Sequence, residues 1–170
     1  QLRRDWRAAA RASYLACLAN TWLPQQTAQP GLFRLLDGAL DRLAEDSADD
    51  SLVHWFELRL LELAGLAPRL TDCLGCRQPA SARGAWCFSA ERGGLLCAGC
   101  RTNAAAEMPV APDVLGLLGF WQKAGAWEVA RRARSRPSQR LAAGELLGAF
   151  LRRHLEGAAH ARDIMLELTA

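Results

Sequence analysis

Two short cysteine motifs carry the clearest chemistry in this 170-residue chain. Cys73-Leu-Gly-Cys76 is followed, after twenty intervening residues, by Cys97-Ala-Gly-Cys100. A two-residue gap lets one tight knuckle aim two thiolates at a single ion, and a second knuckle completes a tetrahedron, so the pattern predicts a structural zinc site. Gly75 and Gly99 stand inside the knuckles, where crowding and positive φ favour glycine. Trp86-Cys87-Phe88 and Gly94-Leu95-Leu96 read as two short strands joined by the turn Ser89–Gly93, so residues 70–104 form a zinc ribbon. Disulfides would require an oxidising compartment that nothing here supports. A thioredoxin-like pair would leave one motif unexplained. Cys17 and Cys87 fit neither knuckle and read as packing residues, Cys17 on the core side of a helix.

Catalysis finds little support. A closed four-thiolate shell leaves no position for water or substrate. His154-Leu155-Glu156 spells the H-x-E of zinc deaminases, but it follows the cysteines and leaves one C-x-x-C unused. His154 is expected on a helix surface, and His54 and His160 are expected to be solvent-facing or satisfied by packing. No Ser/His/Asp order, P-loop or paired carboxylates stand out, so no catalytic residues are expected and the chain does not read as an enzyme.

A second candidate is basic. Residues 1–72 hold 8 basic and 10 acidic side chains, and residues 73–170 hold 13 and 8. Arg131, Arg132, Arg134, Arg136 and Arg140 lie within ten residues of one another. Guanidinium groups suit phosphate contact; equally, cations at a helix end offset its dipole. Trp121 and Trp127 could stack on bases, although core packing is the simpler reading.

The elements that position these groups are mainly α. Leu2 to Leu23 reads as a helix stopped by Pro24, with Leu2, Trp6, Ala9, Ala10, Ser13 and Cys17 as its apolar face and Arg3, Arg7 and Arg11 as a basic stripe. Pro30 opens a second helix with Leu32, Phe33, Leu36, Leu40 and Leu43 inward, ended by an acidic loop at residues 45–50. Ser51 caps a third helix running to about Ala64, with Gly65 as its C′ residue. That helix is apolar nearly all round and belongs in the centre of a bundle. Helical patterns return at Pro112–Trp121, at Trp127–Arg134 and over Ser138–Leu155, with Pro137 as a break. The fold expected is a helical bundle with an inserted four-cysteine zinc ribbon, divided into bundle (1–69), ribbon (70–104) and bundle (105–170). Charges interrupt every apolar run before the roughly 18 residues of a membrane helix, and no signal-peptide pattern opens the chain, so a cytoplasmic location is expected.

The ordered motifs resemble the RecO family of bacterial DNA repair proteins. Leu2-Arg-Arg-Asp-Trp-Arg-Ala-Ala-Ala-Arg-Ala-Ser-Tyr14-Leu15 looks like the helix after that family's OB domain. Phe56-Glu-Leu-Arg-Leu-Leu-Glu-Leu-Ala-Gly65 with Pro68 resembles its central helix. Cys73, Cys76, Phe88-Ser89, Gly93-Gly94-Leu95-Leu96-Cys97 and Cys100 resemble its zinc-binding module, and Phe150-Leu-Arg-Arg-His-Leu-Glu its last long helix. The resemblance implies binding of single- and double-stranded DNA, annealing of complementary strands, and action with RecR (and RecF) to load RecA onto DNA coated with single-stranded-DNA-binding protein, whose tail would be a partner. It also implies a location at the bacterial nucleoid. Family members begin with an OB-fold of about eighty residues. Nothing in these 170 residues supplies its strands.

Overall fold

The computed structural model describes residues 5–22, 29–45, 50–81, 83–102 and 106–169. Among them are seven helices and a three-stranded sheet: α1 (Trp6–Trp22), α2 (Pro30–Glu45), α3 (Asp50–Leu63), β1 (Trp86–Ser89), β2 (Gly94–Cys97), β3 (Glu107–Val110), α4 (Pro112–Lys123), α5 (Trp127–Ala130), α6 (Pro137–His154) and α7 (Glu156–Thr169). The expected helical bundle with a cysteine-bearing hairpin is the architecture found.

Helix α3 is the centre. Leu52, Val53, Phe56, Leu58, Leu60 and Leu61 are buried on every side of it, each contributing about 1.5–3 kcal/mol of transfer free energy. Its all-round apolar pattern has one stable solution, enclosure by other helices, and α1, α2, α4 and α6 pack around it. Its end follows a Schellman geometry. Gly65 has φ +69°, its N–H donates to Glu62 O, and Leu66 N–H donates to Leu61 O, so the last carbonyls are satisfied by a left-handed residue that glycine accommodates.

Four expectations are corrected. Helix α1 turns Ala8, Arg11, Tyr14, Leu15, Leu18 and Ala19 inward, while Trp6 and Cys17 are exposed. Tyr14, Leu15 and Leu18 offer more apolar area than the face of Ala9, Ala10, Ser13 and Cys17, and burying Arg11 is tolerated because Asp50 pairs with it. Arg3 and Pro24 lie outside the described residues, as do residues 46–49 of the acidic loop. Helix α2 buries Leu32, Ala39 and Leu43, leaving Phe33 70% exposed. The expected helix over Trp127–Arg134 is a single turn: Arg131–Arg136 run on as turn and extended chain, and Arg136 is extended (φ −79°, ψ 155°) before Pro137, as a residue preceding proline must be. Finally, α6 breaks at Leu155 (φ −139°, ψ 72°), and a separate helix α7, not anticipated, packs on α1 and α6.

The sheet order is β2-β1-β3, all antiparallel. β1 and β2 are the expected hairpin, with Gly93 (φ +85°) in its turn. β3, beyond residue 104, pairs Val110 with Trp86 and joins the ribbon directly to α4. Phe88 packs against Phe150 of α6 with ring centroids 6.0 Å apart, so the hairpin is anchored in the helical core.

Candidate metal centre and basic segment

Four thiols converge at one end of the sheet. The sulfurs of Cys73, Cys76, Cys97 and Cys100 all lie within 4.8 Å of one another, and Cys76 Sγ is 3.6 Å from Cys97 Sγ. Zinc at about 2.3 Å from each sulfur would hold them about 3.8 Å apart in a tetrahedron, so this set is compatible with a zinc site. The local backbone explains the convergence. Residue 69 runs beside β2, exchanging hydrogen bonds with Gly93 and Leu95, and Leu74 N–H donates to Leu95 O at 2.8 Å. These bonds set the first knuckle against the second. Cys100 and Arg101 N–H groups both donate to Cys97 O at 3.0 Å, folding the second knuckle.

The glycines act differently from expectation. A Cβ on Gly75 would lie 2.8 Å from Cys100 Sγ, so Gly75 is required by close approach; a Cβ on Gly99 would meet nothing. Neither has positive φ. The left-handed residue next to the first knuckle is Arg77 (φ +64°).

The backbone around Cys73 favours its thiolate. Burial opposes ionisation of Cys73, but backbone N–H groups of Cys76, Cys97 and Gly75 aimed at its sulfur outweigh that and hold its pKa at about 6. Gly75 N and Cys97 N each stand 3.4 Å from Cys73 Sγ. Cys100 is pushed up to about 12, chiefly by its thiol neighbours Cys97, Cys76 and Cys73. Four sulfurs this close cannot all ionise unless a cation neutralises them. Cys87 is buried within β1, consistent with packing.

The five arginines are split by the chain. Arg131, Arg132 and Arg134 are exposed beyond the one-turn helix α5 and form no ion pair with described residues. Arg136 pairs with Asp113 at 3.0 Å, in a clamp where Gln139 also donates to Asp113. Arg140 folds back to donate to Ser135 O at 2.8 Å, and its Nε is buried without a partner. Trp121 is fully buried, as core; Trp127 is half-buried against Trp55.

The family profile of the recombination protein O C-terminal region matches residues 3–163. The chain belongs to the recombination protein O family. Its curated relatives carry the name DNA repair protein RecO. That of Desulforudis audaxviator is 40% identical over 69% of this chain and 46% of its own length. That of Dehalococcoides mccartyi (strain 195) is 31% identical over 72% and 47%. That of Anaeromyxobacter sp. (strain K) is 35% identical over 98% of this chain and 65% of its own. The chain therefore spans about half to two thirds of the length of these relatives. No described helix is long and apolar enough to cross a membrane.

Sequence reasoning missed a buried ionic cluster that organises this family member's core. Glu57 and Arg162, both buried, pair at 2.8 Å; Tyr14 OH donates to the same carboxylate at 2.7 Å, and His54 Nδ1 lies 3.3 Å from its other oxygen. Arg162 also donates to Gly144 O at 2.9 Å. His54 is thus satisfied inside the core. His154, expected on the surface, is half-buried: its Nε2 contacts Ala90 O at 2.8 Å and its ring packs tilted against Phe150, with centroids 4.3 Å apart. The H-x-E resemblance therefore ends in a structural link between α6 and the hairpin.

Proposed function

We propose that this chain is the helical, zinc-bearing part of a non-enzymatic recombination mediator. It holds one structural zinc through Cys73, Cys76, Cys97 and Cys100, contacts DNA phosphates, and contributes with RecR to loading RecA onto single-stranded DNA coated with single-stranded-DNA-binding protein. It works in the bacterial cytoplasm at the nucleoid. The observation that carries this reading is the family match across residues 3–163. The four-thiol cluster supports it independently, since a closed shell stabilises a fold and leaves no open coordination position for hydrolysis. The zinc, when bound, would neutralise the thiolates and fasten the hairpin; the chain's own residues do the rest. Cys73 accepts the backbone N–H groups that orient its sulfur, Gly75 admits Cys100, and Phe88 carries the module into the core. In this reading residues 70–104 are an insert between bundle parts 1–69 and 105–170, with β3 as the seam.

Arg131, Arg132 and Arg134 are the phosphate contacts this reading favours, being exposed and unpaired among the described residues, whereas Arg136 and Arg140 hold the start of α6. The tail of single-stranded-DNA-binding protein, an acidic peptide, has a suitable receptor between α3, α6 and α7. That groove of about 610 Å³ is lined by Val53, Leu141, Met165 and Leu166, with Arg140 and Arg152 as well as Asp50 and Glu145 on its edge. Fluorescence anisotropy with labelled single strands of unrelated sequence tests the DNA role. Binding that is similar across sequences and weakens as salt rises is expected. Absence of binding at low salt would overturn it.

A further inference from the structure

A second basic surface lies away from the Arg131–Arg134 segment. Helices α2, α3 and the start of α5 enclose an open groove of about 470 Å³, with Arg34, Arg42 and Arg59 around it and the Trp127 indole on one wall. Small residues keep it open: Gly31 and Gly38 face it from α2, and a Cβ on Gly38 would touch nothing. A helix face that carries Gly31, Arg34, Gly38 and Arg42 at helical spacing is poor at closing against a neighbour. It leaves a slot where most helix pairs interdigitate.

The groups in that slot have uneven commitments. Arg42 is held by Glu45 at 2.9 Å and by Glu128 at 2.8 Å. Among the described residues Arg59 forms an ion pair with Glu62 and no other carboxylate, leaving further guanidinium donors. Arg34 is exposed and forms no ion pair with described residues. Three guanidiniums face one lining carboxylate, that of Glu128. Trp127 is half-buried, with its ring braced by Trp55 at 5.9 Å, and the Trp55 N–H is already used by Ala124 O at 2.8 Å. What the groove offers a ligand is therefore one supported indole and planar cationic donors spread over about 12 Å of α2.

We infer that this groove is a binding site for single-stranded nucleic acid, with a base stacked on Trp127 and phosphates on Arg34 and Arg59. An aromatic platform beside guanidiniums suits a ligand that carries both a π-face and anionic groups, without sequence readout. A duplex keeps its bases stacked on one another and could offer only phosphates, so the groove distinguishes single from double strands. The inference rests on the DNA-binding reading above and adds a site distinct from Arg131, Arg132 and Arg134.

The test uses the full chain and labelled oligothymidylate, with a duplex of equal length as comparison. W127L is expected to weaken single-strand binding roughly 5- to 150-fold, the range for losing one stacked base, and to leave duplex binding unchanged. R34Q/R59Q, which keeps a hydrogen-bonding side chain at the exposed position 34 and at the partly buried position 59, is expected to flatten the salt slope by about 1.4, at about 0.7 per phosphate contact. If both variants bind as the parent does while replacement of Arg131, Arg132 and Arg134 weakens binding, the groove is overturned and the DNA role stands. If the parent binds no single strand, both fall. Saturable binding of polyglutamate that the same variants abolish, with DNA binding intact, would make the occupant an acidic protein segment and would equally overturn the inference. Should W127L fold poorly by circular dichroism, R34Q/R59Q decides.

Discussion

Replacing Glu57 with Gln should be among the most damaging isosteric changes in this chain. The carboxylate is fully buried and receives Tyr14 OH at 2.7 Å and Arg162 Nε at 2.8 Å, with His54 at 3.3 Å. Glutamine keeps the volume but removes the counter-charge, leaving the Arg162 guanidinium uncompensated in the core. Breaking such a pair costs about 3–5 kcal/mol. The proton equilibrium gives a similar figure. Burial alone would raise the Glu57 pKa, but the Arg162 charge and the His54 hydrogen bond overcome it and hold the carboxyl at about 2, against an ordinary 4.5. That difference corresponds to about 3 kcal/mol. Because the folded pKa is the lower one, this stability is complete above about pH 4.5 and is lost as pH falls towards 2. Urea unfolding followed by circular dichroism measures both effects: E57Q should be less stable by about 3–5 kcal/mol at neutral pH and show a weaker decline with acid than the parent. E57L/R162M, which removes both charges, should cost much less than the sum of the single variants. A loss under about 1 kcal/mol for E57Q, or strict additivity in the double variant, would refute the reasoning.

Further outcomes follow from the same geometry. Removing metal with a strong chelator should unfold residues around the hairpin while leaving most helical signal, because α1, α2, α3, α6 and α7 bury a core of their own; metal analysis should find one zinc per chain, absent from C97S/C100S. G144A should destabilise the fold, since the new Cβ would lie 2.8 Å from the His54 ring. G116A and G119A on α4, where a Cβ meets nothing, should stabilise it by about 0.5–1 kcal/mol each, all three read by thermal unfolding. Calorimetry with an acidic tail peptide of single-stranded-DNA-binding protein should show binding that L141E abolishes; equal affinity for parent and variant would remove the α6–α7 groove as its receptor.

What could be read from the sequence was local. The cysteine spacing, the Gly93 hairpin turn and the Gly65 helix end each depend on a few adjacent residues, and each reappears in the structure. What could not be read depends on distant partners. Arg162 is 105 residues from Glu57, and without that partner the α7 stripe Ala158, Arg162 and Met165 looks interrupted by a charge. That is why the last helix went unseen. Helix α1 is hard to read for a related reason: two faces compete, and distant partners such as Asp50 and Glu57 make Arg11 and Tyr14 tolerable inside. β3 is four residues with a proline, too short and too irregular to announce itself before β1 is in place. The arginine segment misled in the opposite direction. Its composition was plain, but Pro137 and Asp113 decide which guanidiniums remain free.

The central claim, that this family member meets DNA through its free arginines, is tested most directly by the salt dependence of single-strand binding for the parent and for R131A/R132A/R134A. With three phosphate contacts at about 0.7 each, the triple variant should show a logarithmic slope flatter by about two and an affinity reduced alike for unrelated sequences. Identical affinities and identical slopes would contradict the account.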